Sequence, residues 1–360
     1  MEAVYIHIPF CSHICSYCDF PKVLHIDSFV TDYLLALQDE ITNSYDGERI
    51  SSIYIGGGTP SCLSKTEREK LFNIVQIFNK SPECEFTFEC NPNDINDELL
   101  DDLVAGGVNR ISIGIESFDK DNLSKLERNA DFYDIKEKLE LCHKRGLDNI
   151  NLDLMYAIPD EKLNVLKHDL NLILKLKPTH ISTYSLILEE HTKLANIGTE
   201  YISQDVDRKM YDYICNKLKK KGFNHYEVSN FALDGFESRH NLTYWDNKEY
   251  YGFGLGASGY KDNFRYYNTR NIHDYIDHKF RVEENLMTYK DQMDNELMLG
   301  LRKTNGINIK EFFEKYNVKI EDHYPIKELL DSKDLIEKDG YLFINPDRIY
   351  VMNEILIKLI

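Results

Sequence analysis

The chain has 360 residues, with 61 Asp plus Glu against 43 Lys plus Arg and a formal charge of -18. That length accommodates two domains and a core that needs no disulfide staples. The acidic balance argues against nucleic-acid backbone binding, and no apolar run approaches the ~18 to 20 residues of a membrane-spanning helix.

The first half alternates strand-like and helix-like segments. Residues 4–8 predict a strand and 28–44 an amphipathic helix; 52–55 is strand-like again. A capping box, Ser64 with Glu67, starts a helix expected to run to about Asn79. Residues 85–89 alternate Phe86 and Phe88 with polar neighbours, and 96–105 is helical up to Gly106-Gly107. Strands at 110–115, 149–154 and 180–186 enclose helices from Tyr133 to Gly146 and over 163–175. Six strand–helix units imply a parallel sheet with right-handed crossovers. They are too few for a closed eight-fold barrel, which leaves an incomplete barrel or a doubly wound sheet. The pattern changes between 187 and 205. A helix reaches Lys221, a Tyr-, Gly- and Asn-rich stretch extends to Arg270, and a mainly helical end carries a hairpin-like segment over 335–344.

Eight cysteines in such a chain suit a reducing cytosol. No signal or transit peptide is visible, so the expected location is cytoplasmic. Cys11, Cys15 and Cys18 form C-x3-C-x2-C in the loop after the first strand. Ionised sulfurs this close repel one another unless a cation or cluster holds them. Zinc completed by His13 or His25 is one reading. A [4Fe–4S] cluster with one iron left open is the other. No second C-x2-C knuckle exists, and Cys62, Cys84, Cys90, Cys142 and Cys215 read as packing thiols.

The segment Tyr5-Ile-His-Ile-Pro-Phe-Cys11-Ser-His-Ile-Cys15-Ser-Tyr-Cys18-Asp-Phe20 resembles the radical S-adenosylmethionine (radical-SAM) superfamily. The similar branch contains anaerobic coproporphyrinogen III oxidase and the heme chaperones, and the resemblance covers nearly the whole chain. It implies an incomplete (β/α)6 TIM-like barrel over 1–195, an extension over 196–285, and a helical, winged-helix-like end over 286–360. It also implies that Cys11, Cys15 and Cys18 ligate the cluster and that SAM chelates the open iron. Tyr5 and Tyr17 are expected beside this cofactor pair. Gly57, Gly58 and Thr59 belong to a glycine motif that follows the second strand, where such folds bind ligands. Glu89, Glu116 and Asp153 lie at or near strand ends, where carboxylates suit ribose hydroxyls. The family usually has Gln at the Glu116 position. Arg128 matches the position that pairs with the methionine carboxylate.

Two departures set this chain apart from the oxidase pattern. Asp19-Phe20 follow Cys18 where the oxidase carries a further cysteine, and only ten residues precede Cys11. Arg239-His240-Asn241-Leu242-Thr243-Tyr244-Trp245 resembles the HNxxYW motif of heme chaperones, which makes His240, Tyr244 and Trp245 the expected heme residues. Ser258 stands where a related glycine segment usually has His. The resemblance therefore implies a heme chaperone carrying a [4Fe–4S] cluster and SAM rather than a turnover enzyme. Its expected partners are heme and heme-acceptor proteins, including respiratory or membrane-associated ones, and a second copy in a homodimer. The alternative is an oxygen-independent coproporphyrinogen III oxidase-like enzyme.

Overall fold

The computed structural model describes residues 2–360. Six strands, β1 (Glu2–Ile8), β2 (Arg49–Gly57), β3 (Asn79–Cys90), β4 (Arg110–Glu116), β5 (Asn149–Tyr156) and β6 (His180–Ser185), pair in parallel and in chain order. A doubly wound sheet reverses its strand order part-way, and this one does not, so the sheet is of the incomplete-barrel kind.

The helices between them follow local signals. Helix α1 (Asp27–Ser44) buries Val30, Leu34, Leu37 and Ile41 at helical spacing. Helix α2 (Lys65–Val75) opens on the expected capping box, with the Ser64 N–H donating to Glu67 Oε2 at 2.7 Å. It stops short of the expected Asn79, because Asn79 already begins β3. Helix α3 (Asp97–Gly106) ends at Gly107 in the left-handed region (φ 88°), the C-cap that Gly106-Gly107 predicted. A short helix that the sequence pattern did not reveal, α4 (Lys120–Leu126), follows β4, capped by the Asp119 carboxylate. Helices α5 (Phe132–Lys144), α6 (Leu163–Leu176) and α7 (Gln204–Lys219) complete this half.

The Tyr-, Gly- and Asn-rich stretch, in which the sequence pattern marks no elements, supplies strands to both edges of the same sheet. They are β7 (Asn224–Glu227), β8 (Asn230–Ala232), β9 (Tyr250–Phe253), β10 (Ser258–Lys261) and β11 (Phe264–Asn268), followed by β12 (Arg281–Leu286). The full order is β12-β11-β10-β9-β1-β2-β3-β4-β5-β6-β8-β7, with β9 parallel to β1 and β8 antiparallel to β6. Most of these strands are only three to five residues long and lack apolar alternation, which hides them from periodicity. Helix α8 (Arg239–Trp245) lies between them in the chain.

At the C-terminal end, α9 (Tyr289–Gly300) precedes a small antiparallel sheet of β13 (Ile307–Asn308), β14 (Leu335–Lys338) and β15 (Tyr341–Ile344), with β15 central. The hairpin expected over 335–344 is β14–β15. Leu297, Phe312 and Ile355 join the same buried cluster as the barrel strands.

The period of two along β4 explains where the site lies. Ile111, Ile113 and Ile115 face the helices and are fully buried, while Arg110, Ser112, Gly114 and Glu116 line the barrel interior. The interior is polar and hollow.

Candidate cofactor site

The cluster loop leaves β1 and crosses the open end of the barrel. It is pinned on both flanks: Ser16 Oγ donates to the Lys125 carbonyl at 2.6 Å, and the Leu194 N–H donates to the Ser16 carbonyl at 3.0 Å. Cys11, Cys15 and Cys18 all face a cavity of about 380 Å³ that runs into the barrel. Thr59 Oγ1 lies 3.6 Å from Cys11 Sγ, and Arg128 Nη1 lies 3.7 Å from Cys15 Sγ. Burial pushes the Cys11 thiol up to about 11, so this sulfur needs a bound cation or cluster to ionise.

The donor set discriminates between the two metal readings. Among the described residues, the set of three His, Cys, Asp or Glu donors all within 4.8 Å of one another is His25, Asp27 and Glu67. A tetrahedral zinc with bonds of about 2.3 Å would bring its sulfurs to about 3.8 Å from one another. The three cysteines are more widely spread, which fits a cluster presenting a separate iron to each thiolate. Of the candidate fourth zinc ligands, His25 is engaged by Glu67 at 3.0 Å outside the cavity, while His13 lines the cavity with its Nε2 3.9 Å from Glu127.

The carboxylates expected from the sequence converge on this cavity. Glu89 accepts from the Tyr54 hydroxyl at 2.6 Å and from the Gly57 N–H at 3.0 Å. Glu116 accepts from the Tyr17 hydroxyl at 3.2 Å and stands 3.9 Å from Arg128 Nη2, which also donates to the Gly114 carbonyl. A register shift between β4 and β5 falls at this point, and Glu116 itself has φ 68°. A non-glycine residue in that region is uncommon, and here it closes the strand beneath the cluster loop. Asp153 accepts from Asn151 Nδ2 at 2.7 Å. Burial first, then the charges of Glu116 and Glu89, push Asp153 up to about 7; burial likewise raises Glu89.

The glycines of the motif are closely packed by the protein's own groups. A Cβ on Gly56 would stand 2.7 Å from the Glu89 carboxylate, and one on Gly57 2.6 Å from the His7 ring. Gly58 donates its N–H to the Ile8 carbonyl at 2.8 Å, and a Cβ there would meet the Pro9 backbone. Their lack of side chains lets the protein's own groups close in, while Gly57, Gly58 and Thr59 still line the cavity.

A second cavity of about 460 Å³ adjoins the first, and Phe20, Gly57 and Glu89 line both. Its walls include Tyr5, Tyr244, Tyr250 and Leu299, with Lys248 and Arg265 as basic groups. Tyr5 therefore lines this cavity and not the cluster cavity where it was expected; its hydroxyl is 3.0 Å from His7 Nδ1. Of the three expected heme residues, only Tyr244 lines it. His240 is buried behind, between Ser52 Oγ at 3.1 Å and the Tyr244 hydroxyl at 2.8 Å. Trp245 lines neither cavity; its ring lies under Arg302. Ser258, which departs from the related glycine segment, also faces this second cavity.

His7, Tyr54, Arg110, Asn151, Lys248 and Arg265 line these spaces without having been singled out from the sequence. Arg110, Tyr54 and Asn151 had a usable signal: each sits at the inward register of a strand already identified.

A parallel barrel whose open end carries three thiols and a ring of carboxylates defines a radical-SAM protein, and residues 5–173 match the Radical SAM superfamily model. The chain is 42% identical over 342 residues to the heme chaperone HemW of Lactococcus lactis, covering 92% of this chain and 90% of that one. It is 38% identical over 371 residues to the heme chaperone HemW of Bacillus subtilis, covering 98% and 96%. The chain belongs to the HemW family. Its fold is similar to coproporphyrinogen III oxidase (HemN) of Escherichia coli, with a TM-score of 0.87 over 99% of this chain and 89% of that one at 19% identity.

Proposed function

We propose that this protein is a heme chaperone: it binds heme and passes it to acceptor proteins. Cys11, Cys15 and Cys18 would hold a [4Fe–4S] cluster, which supplies an open iron for SAM. Tyr17, Gly57, Gly58, Thr59, Glu89, Glu116, Arg128 and Asp153 would surround SAM, Arg128 as the cation for its carboxylate and Glu89 and Asp153 as acceptors for hydroxyls. Glu116 can accept but not donate, which narrows what it can hold compared with Gln.

The observation that carries the heme reading is the second cavity. Tyr5, Tyr244 and Tyr250 offer it flat apolar surface, and Lys248 and Arg265 supply cations for propionates in an otherwise acidic chain. His240 would position Tyr244 rather than ligate iron. Among the described residues no helix is long and apolar enough to cross a membrane, so contact with membrane-associated acceptors would run through the protein's surface.

The test is heme transfer from the loaded protein to an apo-acceptor, with and without the cluster. Transfer at a rate above free heme is the expected result. Protoporphyrinogen formed at a useful rate from coproporphyrinogen III, SAM and a reductant would instead establish the decarboxylating enzyme and overturn the chaperone reading.

A further inference from the structure

The cluster cavity does not end at the carboxylates. It continues to the closed end of the barrel, where Arg110 forms part of its lining. Arg110 is 2% exposed and is the largest fully buried side chain in the molecule. Its guanidinium is almost without partners. Nη1 reaches Thr87 Oγ1 at 3.4 Å, Nε is buried with no hydrogen bond, and no described residue forms an ion pair with it.

Guanidinium cannot escape burial by losing its proton, so a buried Arg normally sits against a carboxylate. The buried carboxylates of the neighbouring strand β3 are committed elsewhere. Glu85 accepts from the N–H groups of Arg239 and His240, each at 3.1 Å, and Glu89 is held by Tyr54 and Gly57. Strand register places Arg110 opposite Thr87, one inward layer below the pair Glu89 and Ser112. Asn241, on the helix that closes this end, also lines the cavity, and its side-chain amide makes no hydrogen bond among the described residues. A cation with free N–H groups, an uncommitted amide and the Ser112 hydroxyl thus face one space. That set has the donors of a carboxylate site and lacks only the anion.

We propose that the closed end of the barrel is a carboxylate-binding subsite, with Arg110 as its cation and Asn241 as a second donor. Arg128, at the open end beside Cys15, serves a different group. The carboxylate belongs either to a free small acid or to the propionate arm of a tetrapyrrole. The subsite does not rest on the chaperone reading, since loss of heme transfer would leave it intact.

The test uses the full chain. Thermal unfolding is followed in rising sodium propionate against sodium chloride at matched ionic strength, for the natural protein and Arg110→Gln. Binding of mesoporphyrin IX and its uncharged dimethyl ester is measured alongside by fluorescence. A propionate-specific rise in Tm of about 2 °C, absent from Arg110→Gln, assigns the site to free acids. No propionate response, but a roughly tenfold preference for mesoporphyrin over its ester that Arg110→Gln abolishes, assigns it to a tetrapyrrole arm. If neither response depends on Arg110, the proposal is overturned. Should Arg110→Gln fail to fold, Asn241→Asp carries the test, because a carboxylate there would compete for the guanidinium and suppress either response.

Discussion

His240 Nε2 lies 2.8 Å from the Tyr244 hydroxyl one helical turn on, while its Nδ1 lies 3.1 Å from the Ser52 hydroxyl of β2. The ring is 1% exposed and stacks loosely on Tyr54, with centroids 5.1 Å apart. The most recognisable histidine of the chain thus ties a helix to the barrel and aims a tyrosine at the second cavity. Replacing it by Ala removes two buried hydrogen bonds and leaves a void, at about 2 to 4 kcal/mol of stability. The Soret maximum of bound heme is expected to stay in place in His240→Ala, read by absorption on the folded fraction. A moved maximum would make His240 an iron ligand.

The cysteines divide cleanly. Each of Cys11→Ala, Cys15→Ala and Cys18→Ala is expected to reduce anaerobically reconstituted iron from about four per chain to near zero. Cys84→Ala and Cys142→Ala, both in the apolar core and outside the cluster cavity, should keep the full complement. Iron and sulfide analysis decides this, and zinc at one per chain with no sulfide would contradict it.

Arg265 faces the second cavity with its Nε buried and unbonded, and its guanidinium carbon lies 4.9 Å from the Tyr260 ring centroid. Arg265→Gln is expected to weaken heme binding roughly fivefold to tenfold, the worth of one charge-assisted contact of about 1 kcal/mol, at unchanged fold. Heme titration at two salt concentrations measures it. The difference between the two proteins should shrink at the higher salt.

Asp153 supplies a pH signature. Burial and two neighbouring carboxylates raise it to about 7 from an ordinary value near 4. Between those values the folded state binds the extra proton, so stability falls as pH rises through that window. Below it the difference vanishes. Asp153→Asn should therefore unfold at a higher temperature than the natural apo-protein at pH 8, with the gap closing at pH 4. An equal gap at both values would show that Asp153 is not perturbed.

Gly57 tests the packing of the glycine motif. At φ 119° and with the His7 ring where its Cβ would go, Gly57→Ala is expected to cost more than about 2 kcal/mol. Gly47, also at positive φ but with nothing within 4 Å of its Cβ, should cost only about 1 kcal/mol on the same change. Chemical denaturation of the two variants gives the comparison.

The sequence by itself determined what depends on neighbours in the chain. Cys11, Cys15 and Cys18 lie within eight residues, so their spacing alone announced a metal or cluster. Ser64 with Glu67 and Gly106 with Gly107 placed helix ends, because caps are local hydrogen-bonding events. The order of the six parallel strands followed from strand–helix alternation. Tertiary structure decided everything that depends on direction across the sheet. Whether Tyr5 faces the cluster or the second cavity, whether His240 meets iron or Ser52, and whether Arg110 meets solvent or a hollow barrel are settled by residues 23 to 247 positions away. Short strands such as Asn230–Ala232 carry no periodic signal, and only pairing with an existing edge makes them strands at all. A buried cation without a counter-ion cannot be read from a string of letters, because burial is a property of the assembled fold.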